Sequence, residues 1–303
     1  MKKVIITGGA GTVGTAFIKE YYNDYEFYSL SRGEEQIAEL KNNFPKVTTL
    51  VRDVCNLDQL ISTFESIRPD IVIHSAAMKH VNLAEVNPTT AVNVNLNGSL
   101  NVIKASIRAE VPITVGVSTD KACAPENVYG YTKKIMEMMF AEHHNSKTKF
   151  VCTRFANVAN SRGSVIPFFK KLAANKEPLK LTSVDMNRLM FSKAAAAELI
   201  HDAIYYASLE EESFVLSTKM KSVNMLNLAN QISDDIEIVG LRPGEKLNEN
   251  LISKKELPYT KVVDNLIFLF EDKQPIECNL NEPFSSQNAV FMSSDELIKL
   301  ITE

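Results

Sequence analysis

Two patterns alternate along the first half of the chain. Short apolar runs rich in β-branched residues predict strands: "KVIITG" (3–8), "EFYSLS" (26–31), "VTTLVRD" (47–53), "DIVIHSA" (70–76), "ITVGVST" (113–119) and "KFVCTRFANV" (149–158). Between them, apolar positions recur three and four residues apart, as in "TVGTAFIKEYY" (12–22), "LDQLISTFESI" (57–67) and "TTAVNVNLNGSLNVIKASIRAE" (89–110), which predicts helices. Strands that are apolar throughout and separated by helices need cover on both faces. That is the condition of a parallel sheet.

Right-handed crossovers between such strands give an α/β fold with a Rossmann-like, doubly wound parallel sheet. After Arg162 the alternation stops, although "KAAAAELIHDAIYYA" (193–207) predicts a strong helix and "SFVLST" (213–218) a last sheet strand. Short elements surround "GLRPGEKLNENL" (240–251), and "YTKVVDNLIFLFE" (259–271) is β-rich. The pattern predicts a dinucleotide-binding domain over 1–165 plus about 186–218. A smaller C-terminal substrate-binding cap takes about 166–185 and 219–303.

With 303 residues, 45% of them hydrophobic, the chain can bury a substantial core. A formal net charge of -4 leaves no basic footprint for nucleic acid. Cys55, Cys123, Cys152 and Cys278 form no CxxC pair and read as reduced thiols. The opening "MKKVIITGG" is too short in apolar residues for a signal peptide, and no run approaches a membrane span. A soluble, cytoplasmic, homo-oligomeric protein is expected, with no metal, because the histidines lack ligand spacing. His74 reads as structural.

"TGGAGTVG" (7–14) follows the first strand and opens the first helix. Gly8, Gly11 and Gly14, with Thr12 and Val13, fit a turn whose amides approach a pyrophosphate. A site selective for NAD carries an acidic residue at the end of the second strand. Here "LSRGEE" supplies Ser31 and Arg32, which suit a 2′-phosphate, so NADP is the expected cofactor. Asp53 and Val54 are placed beside the adenine. "SAAMK" (75–79), including Ala76 and Lys79, is placed along the cofactor toward the nicotinamide.

The stretch "VSTDKACAPENVYGYTKK" (117–134) carries the chemistry. Ser118, Thr119, Asp120 and Lys121 close the fifth strand at the sheet's carboxyl edge, where open α/β folds bind ligands. Tyr129 and Lys133 follow one helical turn apart. A bare YxxxK recurs by accident roughly 0.7 times in a chain of this composition, so its position matters more than its presence. A lysine ammonium beside a phenol lowers the phenol's pKa and readies it as a base toward a sugar hydroxyl.

Together "TGGAGTVG", "AAMKHV", "STDKA" and "YGYTK" resemble the extended short-chain dehydrogenase/reductase superfamily. "RFANVANSRGSVIPFF" (154–169) and "RPGEKLNE" (242–249) narrow the resemblance to the soluble, inverting UDP-N-acetylglucosamine 4,6-dehydratases of pseudaminic-acid-type pathways, over nearly the whole chain. The resemblance implies a nucleotide-sugar substrate. Tyr129 would deprotonate the 4-hydroxyl as hydride passes to NADP+, and Lys133 would tune Tyr129. Lys121, with a lowered pKa, would take the carbon-5 proton, and Asp120 would protonate the departing 6-hydroxyl. Lys79, Asn157, Val158, Arg162, Arg242 and Glu245 would hold the sugar nucleotide, and Met186 and Arg188 follow the same pattern. The chain departs from it at Val94, Ala156, Asn160 and Tyr131, the last placing a bulky ring beside the site. A 4-epimerase, which leaves Asp120 and Lys121 without chemical work, and a silent NADP-binding regulator are the alternatives.

Overall fold

The computed structural model describes residues 1–145, 147–241, 244–270, 275–276 and 278–303. The chain opens with β1 (Lys2–Thr7), α1 (Thr12–Glu20), β2 (Tyr25–Ser31), α2 (Glu34–Asn43) and β3 (Thr48–Val51). It continues through α3 (Leu57–Ile67), β4 (Ile71–His74), α4 (Val81–Val86), α5 (Pro88–Val92), α6 (Gly98–Arg108) and β5 (Ile113–Thr119). A 3-10 turn at Asp120–Ala122 then leads to α7 (Val128–His143), β6 (Lys149–Phe155) and β7 (Asn157–Val158). Next come α8 (Val165–Ala174), β8 (Leu179–Leu181), β9 (Asn187–Phe191), α9 (Lys193–Ala207), β10 (Val215–Thr218) and β11 (Lys221–Asn224). The last elements are α10 (Met225–Asn230), β12 (Ile236–Ile238), β13 (Asn250–Ile252), β14 (Thr260–Val263), β15 (Leu266–Leu269), β16 (Phe284–Ser285) and α11 (Ser294–Thr302).

The main sheet has nine strands in the order β14-β15-β10-β6-β5-β4-β1-β2-β3. From β10 to β3 every neighbouring pair is parallel. The apolar runs explain this: Val4, Ile5 and Ile6 of β1 and Val72 and Ile73 of β4 are fully buried, which requires helices on both sides. α1 packs with α9 on one face, and α3 packs with α6 on the other. Register brings the strand ends together, with Thr7 opposite Leu30 and His74, and Thr119 opposite Phe155. The site therefore opens along one edge.

The cap is built from small sheets: β11-β9-β7 and β12-β8 lie over an apolar cluster that includes Ile166, Phe169, Leu228 and Leu297, whereas Leu251 and Ile252 of the β13-β16 pair join the clusters of the main sheet. Two expectations need correction. The β-rich stretch 259–271, assigned to the cap, instead forms a hairpin whose strand β15 pairs antiparallel with β10 and extends the main sheet. Ile267, Phe268 and Leu269 are buried there, so the hairpin covers an edge that would otherwise be open. Conversely β9, assigned to the dinucleotide domain, pairs with β7 and β11 and belongs to the cap's sheet.

The helix expected over 89–110 is interrupted by a π turn at Asn93–Asn97. Its buried Asn95 accepts from the Met78 amide at 2.8 Å and donates to the Met78 carbonyl and the Thr132 hydroxyl. That side chain ties the loop after β4 to α7. No helix among the described residues is long and apolar enough to cross a membrane.

Candidate active site

The first cavity, about 630 Å³, lies over the carboxyl ends of β1, β2, β4 and β5. Gly8, Gly11, Thr12 and Val13 form its floor at the start of α1. Gly8 has φ +71°, and a Cβ there would meet the Ala76 amide nitrogen at 2.9 Å. The N-cap Gly11 provides no side-chain cap, and the first turn of α1 carries no acidic residue, so its amides are available to an anion. Gly14 lies outside the cavity: a Cβ would strike Gly9 Cα at 2.6 Å, so this glycine serves the packing of helix on strand.

Ser31 and Arg32 border the cavity, and no acidic residue stands at the end of β2. The Ser31 hydroxyl accepts from the Ala10 amide at 3.0 Å and so also braces the glycine turn. Arg32 lies 3.6 Å from Asp53, which itself stays out of the cavity, whereas Val54 and Ala76 line it. Arg52, which no motif singles out, also lines the cavity, with its guanidinium bonded to Thr63 Oγ1 and the Val51 carbonyl. These groups fit a dinucleotide phosphate.

A second cavity of about 900 Å³ lies between the sheet edge and the cap, lined by Lys121, Asn157, Val158, Arg188, Glu245 and Glu249 among others. Lys121, Asn157 and Val158 border both cavities. Lys79, expected both along the cofactor and at the sugar nucleotide, and Arg162, expected at the sugar nucleotide, line the first cavity only. There the Lys79 ammonium donates to the Arg162 carbonyl, the Arg162 amide to Thr12 Oγ1, and the Arg162 guanidinium reaches Glu39 at 3.2 Å. Arg242 lies outside the described residues. Met186 lines the second cavity, and Arg188 donates to the carbonyls of Asn187, Lys246 and Leu247. This bonding fixes the segment that carries Glu249.

Close backbone contact brings the catalytic candidates together. A Cβ at Gly130 would lie 2.3 Å from the Lys121 carbonyl oxygen, so only glycine lets α7 approach the Asp120–Ala122 turn this closely. Asn127 caps α7 by accepting from the Gly130 amide at 2.8 Å. Tyr129 and Lys133 on this helix line the first cavity with Thr119.

Lys121 Nζ lies 3.0 Å from Asp120 Oδ1 and 3.9 Å from Glu249 Oε1. Burial works against its charge and Arg188 opposes it further, but the two carboxylates prevail and raise its pKa. The expected lowering is thus reversed in the free protein. Asp120 has no exposed surface and lines neither cavity. Its Oδ1 accepts from Thr119 Oγ1 and Lys121 Nζ, while Oδ2 is buried without a partner.

Tyr129 also differs from expectation. Burial pushes its phenol up to about 12, with Asp120 adding to the rise; the Lys121 ammonium and a hydrogen bond with Thr119 oppose it. Lys133 does not supply that opposing charge. Its Nζ is buried against Met136 Sδ at 3.1 Å, and burial pushes its pKa down to about 8.

Two departures from the motifs are explained. Asn160 holds φ +52°, where glycine is favoured and asparagine is tolerated, and its Nδ2 donates to the Leu300 carbonyl. Tyr131 is 53% exposed on the outer face of α7 and lines neither cavity, contrary to the expected place beside the site. Among the described residues no group of three or more His, Cys, Asp or Glu is arranged to hold a metal ion.

A family model described as polysaccharide biosynthesis protein matches residues 4–270. This chain belongs to that family. Over 280 residues it is 34% identical to the inverting UDP-N-acetylglucosamine 4,6-dehydratase of Campylobacter jejuni, covering 87% of this chain and 81% of that protein. It is 31% identical to the UDP-glucose 4-epimerase of Rickettsia bellii with the same coverage. The X-ray structure of Pen from Bacillus thuringiensis superposes with a TM-score of 0.89 at 30% identity, covering 99% of this chain and 97% of that one. As a member of this polysaccharide biosynthesis family, the protein is related to both nucleotide-sugar dehydratases and epimerases.

Proposed function

We propose that this protein is a nucleotide-sugar 4,6-dehydratase that uses NADP and takes UDP-N-acetylglucosamine or a close relative to a 4-keto-6-deoxy sugar. The observation that carries this reading is Lys121, set between two carboxylates where both cavities meet, beside Tyr129. A 4-epimerase has no use for an acid–base cluster at that place.

The nicotinamide, when bound, would accept hydride from carbon 4 and return it to carbon 6. The glycine turn and the start of α1 would hold its pyrophosphate, with Arg32 and Arg52 near the adenosine end. Tyr129 would take the proton of the 4-hydroxyl, helped by the Lys121 charge and by Thr119. Ketone formation at carbon 4 acidifies carbon 5, and Lys121, once it has passed its own proton to a neighbouring carboxylate, would remove the carbon-5 proton. The Asp120–Lys121–Glu249 cluster would provide the proton for the departing 6-hydroxyl. Asn157 and Arg188, on the shared wall and the cap, would position the sugar nucleotide. The purified protein with a panel of nucleotide sugars tests the reading by NMR and mass spectrometry of products. Loss of water with a new 6-methyl group supports it, and a simple C4 epimer or an unchanged panel contradicts it.

A further inference from the structure

The resemblance assigns the acid step to Asp120, which the geometry does not favour. We propose that Glu249, from the wall of the second cavity, delivers the proton to the departing 6-hydroxyl, and that Asp120 is a positioning residue behind Lys121. The inference deepens the dehydratase reading and rests on it.

Asp120 lines neither cavity. It has no exposed surface, its Oδ1 is occupied by Thr119 and Lys121, and the turn that carries it is wedged against Gly130. Glu249 lines the cavity on the other side of the Lys121 ammonium. Its backbone is pinned on both sides: its amide donates to Ser286 Oγ at 3.0 Å, and its carbonyl accepts from the Ser286 amide at 2.9 Å. Lys246, three residues before it, bonds the Ala124 carbonyl and pairs with Glu126 at 2.9 Å, holding the segment over the catalytic turn. The charged groups around Glu249 are Lys121, Asp120, Arg188 and Lys246. Burial raises its pKa and Asp120 adds to the rise, against the three cations, which eases its uptake of a proton.

One proton moved from Lys121 to Glu249 creates a neutral amine and a protonated carboxyl together. The amine then takes the carbon-5 proton of the 4-keto sugar, and the C5–H electron pair forms the C5=C6 double bond. The C6–O bond breaks, and its oxygen leaves as water with the Glu249 proton. Lys121 ends as an ammonium and Glu249 as a carboxylate, which is the ion pair of the free protein. No other reactant is needed.

The test compares the wild-type holoenzyme with Glu249→Gln and Asp120→Asn in deuterated water. The substrates are UDP-N-acetylglucosamine and its 6-deoxy-6-fluoro analogue, since fluoride depends far less on a proton from an acid. For Glu249→Gln, water loss should fall about 10²–10⁴-fold, while fluoride release stays within about tenfold of wild type. Asp120→Asn should slow both losses together, because it disturbs Lys121. Bound cofactor and thermal melting report folding. If Glu249→Gln does not fold, Glu249→Asp replaces it and should slow water loss more than fluoride release. Equal slowing of both losses by the Glu249 variant, or unchanged water loss, overturns the proposal. A wild-type protein that eliminates neither water nor fluoride overturns the dehydratase reading itself.

Discussion

The two cavities meet at Lys121 but are built in different ways. The dinucleotide side has a local turn as its floor, Gly8 to Val13, with backbone amides at the start of α1, although residues as distant as Ser31, Ala76 and Tyr129 complete its walls. The sugar side draws on side chains far apart in the chain, Lys121, Asn157, Arg188 and Glu249, which only the folded cap brings together. A turn that binds through its backbone is written in a local motif. A site that works through converging charges exists only once those charges are packed.

The sharpest way to break this comparison is Lys121→Ala, which should cut dehydration at least about 10³-fold while leaving cofactor binding near wild type. Turnover and fluorescence titration with reduced cofactor check this, and near-normal turnover would remove Lys121 as the carbon-5 base.

The next test concerns α7, which serves both sides. Arg154, fully buried, bonds Glu137 of α7 through two nitrogens at 3.0 and 2.7 Å and also pairs with Glu256. Glu137→Ala should cost about 3–5 kcal/mol in chemical denaturation, because it strips a partner from a buried guanidinium.

Lys133 offers a pH test of similar origin. Its folded pKa, about 8, lies below its unfolded value, so the unfolded chain holds the extra proton between about pH 8 and 10.4. Its contribution to stability therefore rises with pH across that window, by about 3 kcal/mol. Lys133→Met should lack the rise, so the cofactor-free variant is the more stable at pH 7 and loses that advantage by pH 10. Urea titrations across this range measure it.

On the dinucleotide side alone, Arg32→Asp should weaken NADP about tenfold or more relative to NAD, from the loss of a charge-assisted bond to phosphate. Unchanged selectivity in binding titrations would refute the cofactor choice. The smallest effect is Asn127→Ala, which removes the α7 cap and should cost about 1 kcal/mol in thermal or urea unfolding.

Much of the fold was legible because apolar periodicity is a local signal: the strand at 113–119 and the helix at 193–207 have the limits their patterns predict. The π turn at Asn93–Asn97 was hidden, because Asn95 is drawn out of the helix by Met78 and Thr132, which are distant in sequence. The hairpin 260–269 reads as β from its sequence, but nothing local says which sheet it joins. In the site, the glycines and the Tyr129/Lys133 spacing are local signals, and Gly8, Gly11, Tyr129 and Lys133 line one cavity at the sheet's carboxyl edge. Charge states were not legible, since the Lys121 ammonium depends on burial and on Glu249, 128 positions further on, as well as on the adjacent Asp120. Glu249 itself sat within a quoted motif, and its burial beside Lys121 was the missing signal.

The most direct measurement follows carbon 5. Wild-type holoenzyme and Lys121→Ala would be incubated with UDP-N-acetylglucosamine in deuterated water, with the sugar examined by proton NMR. The account predicts a 4-keto-6-deoxy product carrying deuterium at carbon 5 from the wild type, and neither label nor product from the variant. A product that keeps its 6-hydroxyl and its original hydrogen at carbon 5 would contradict it.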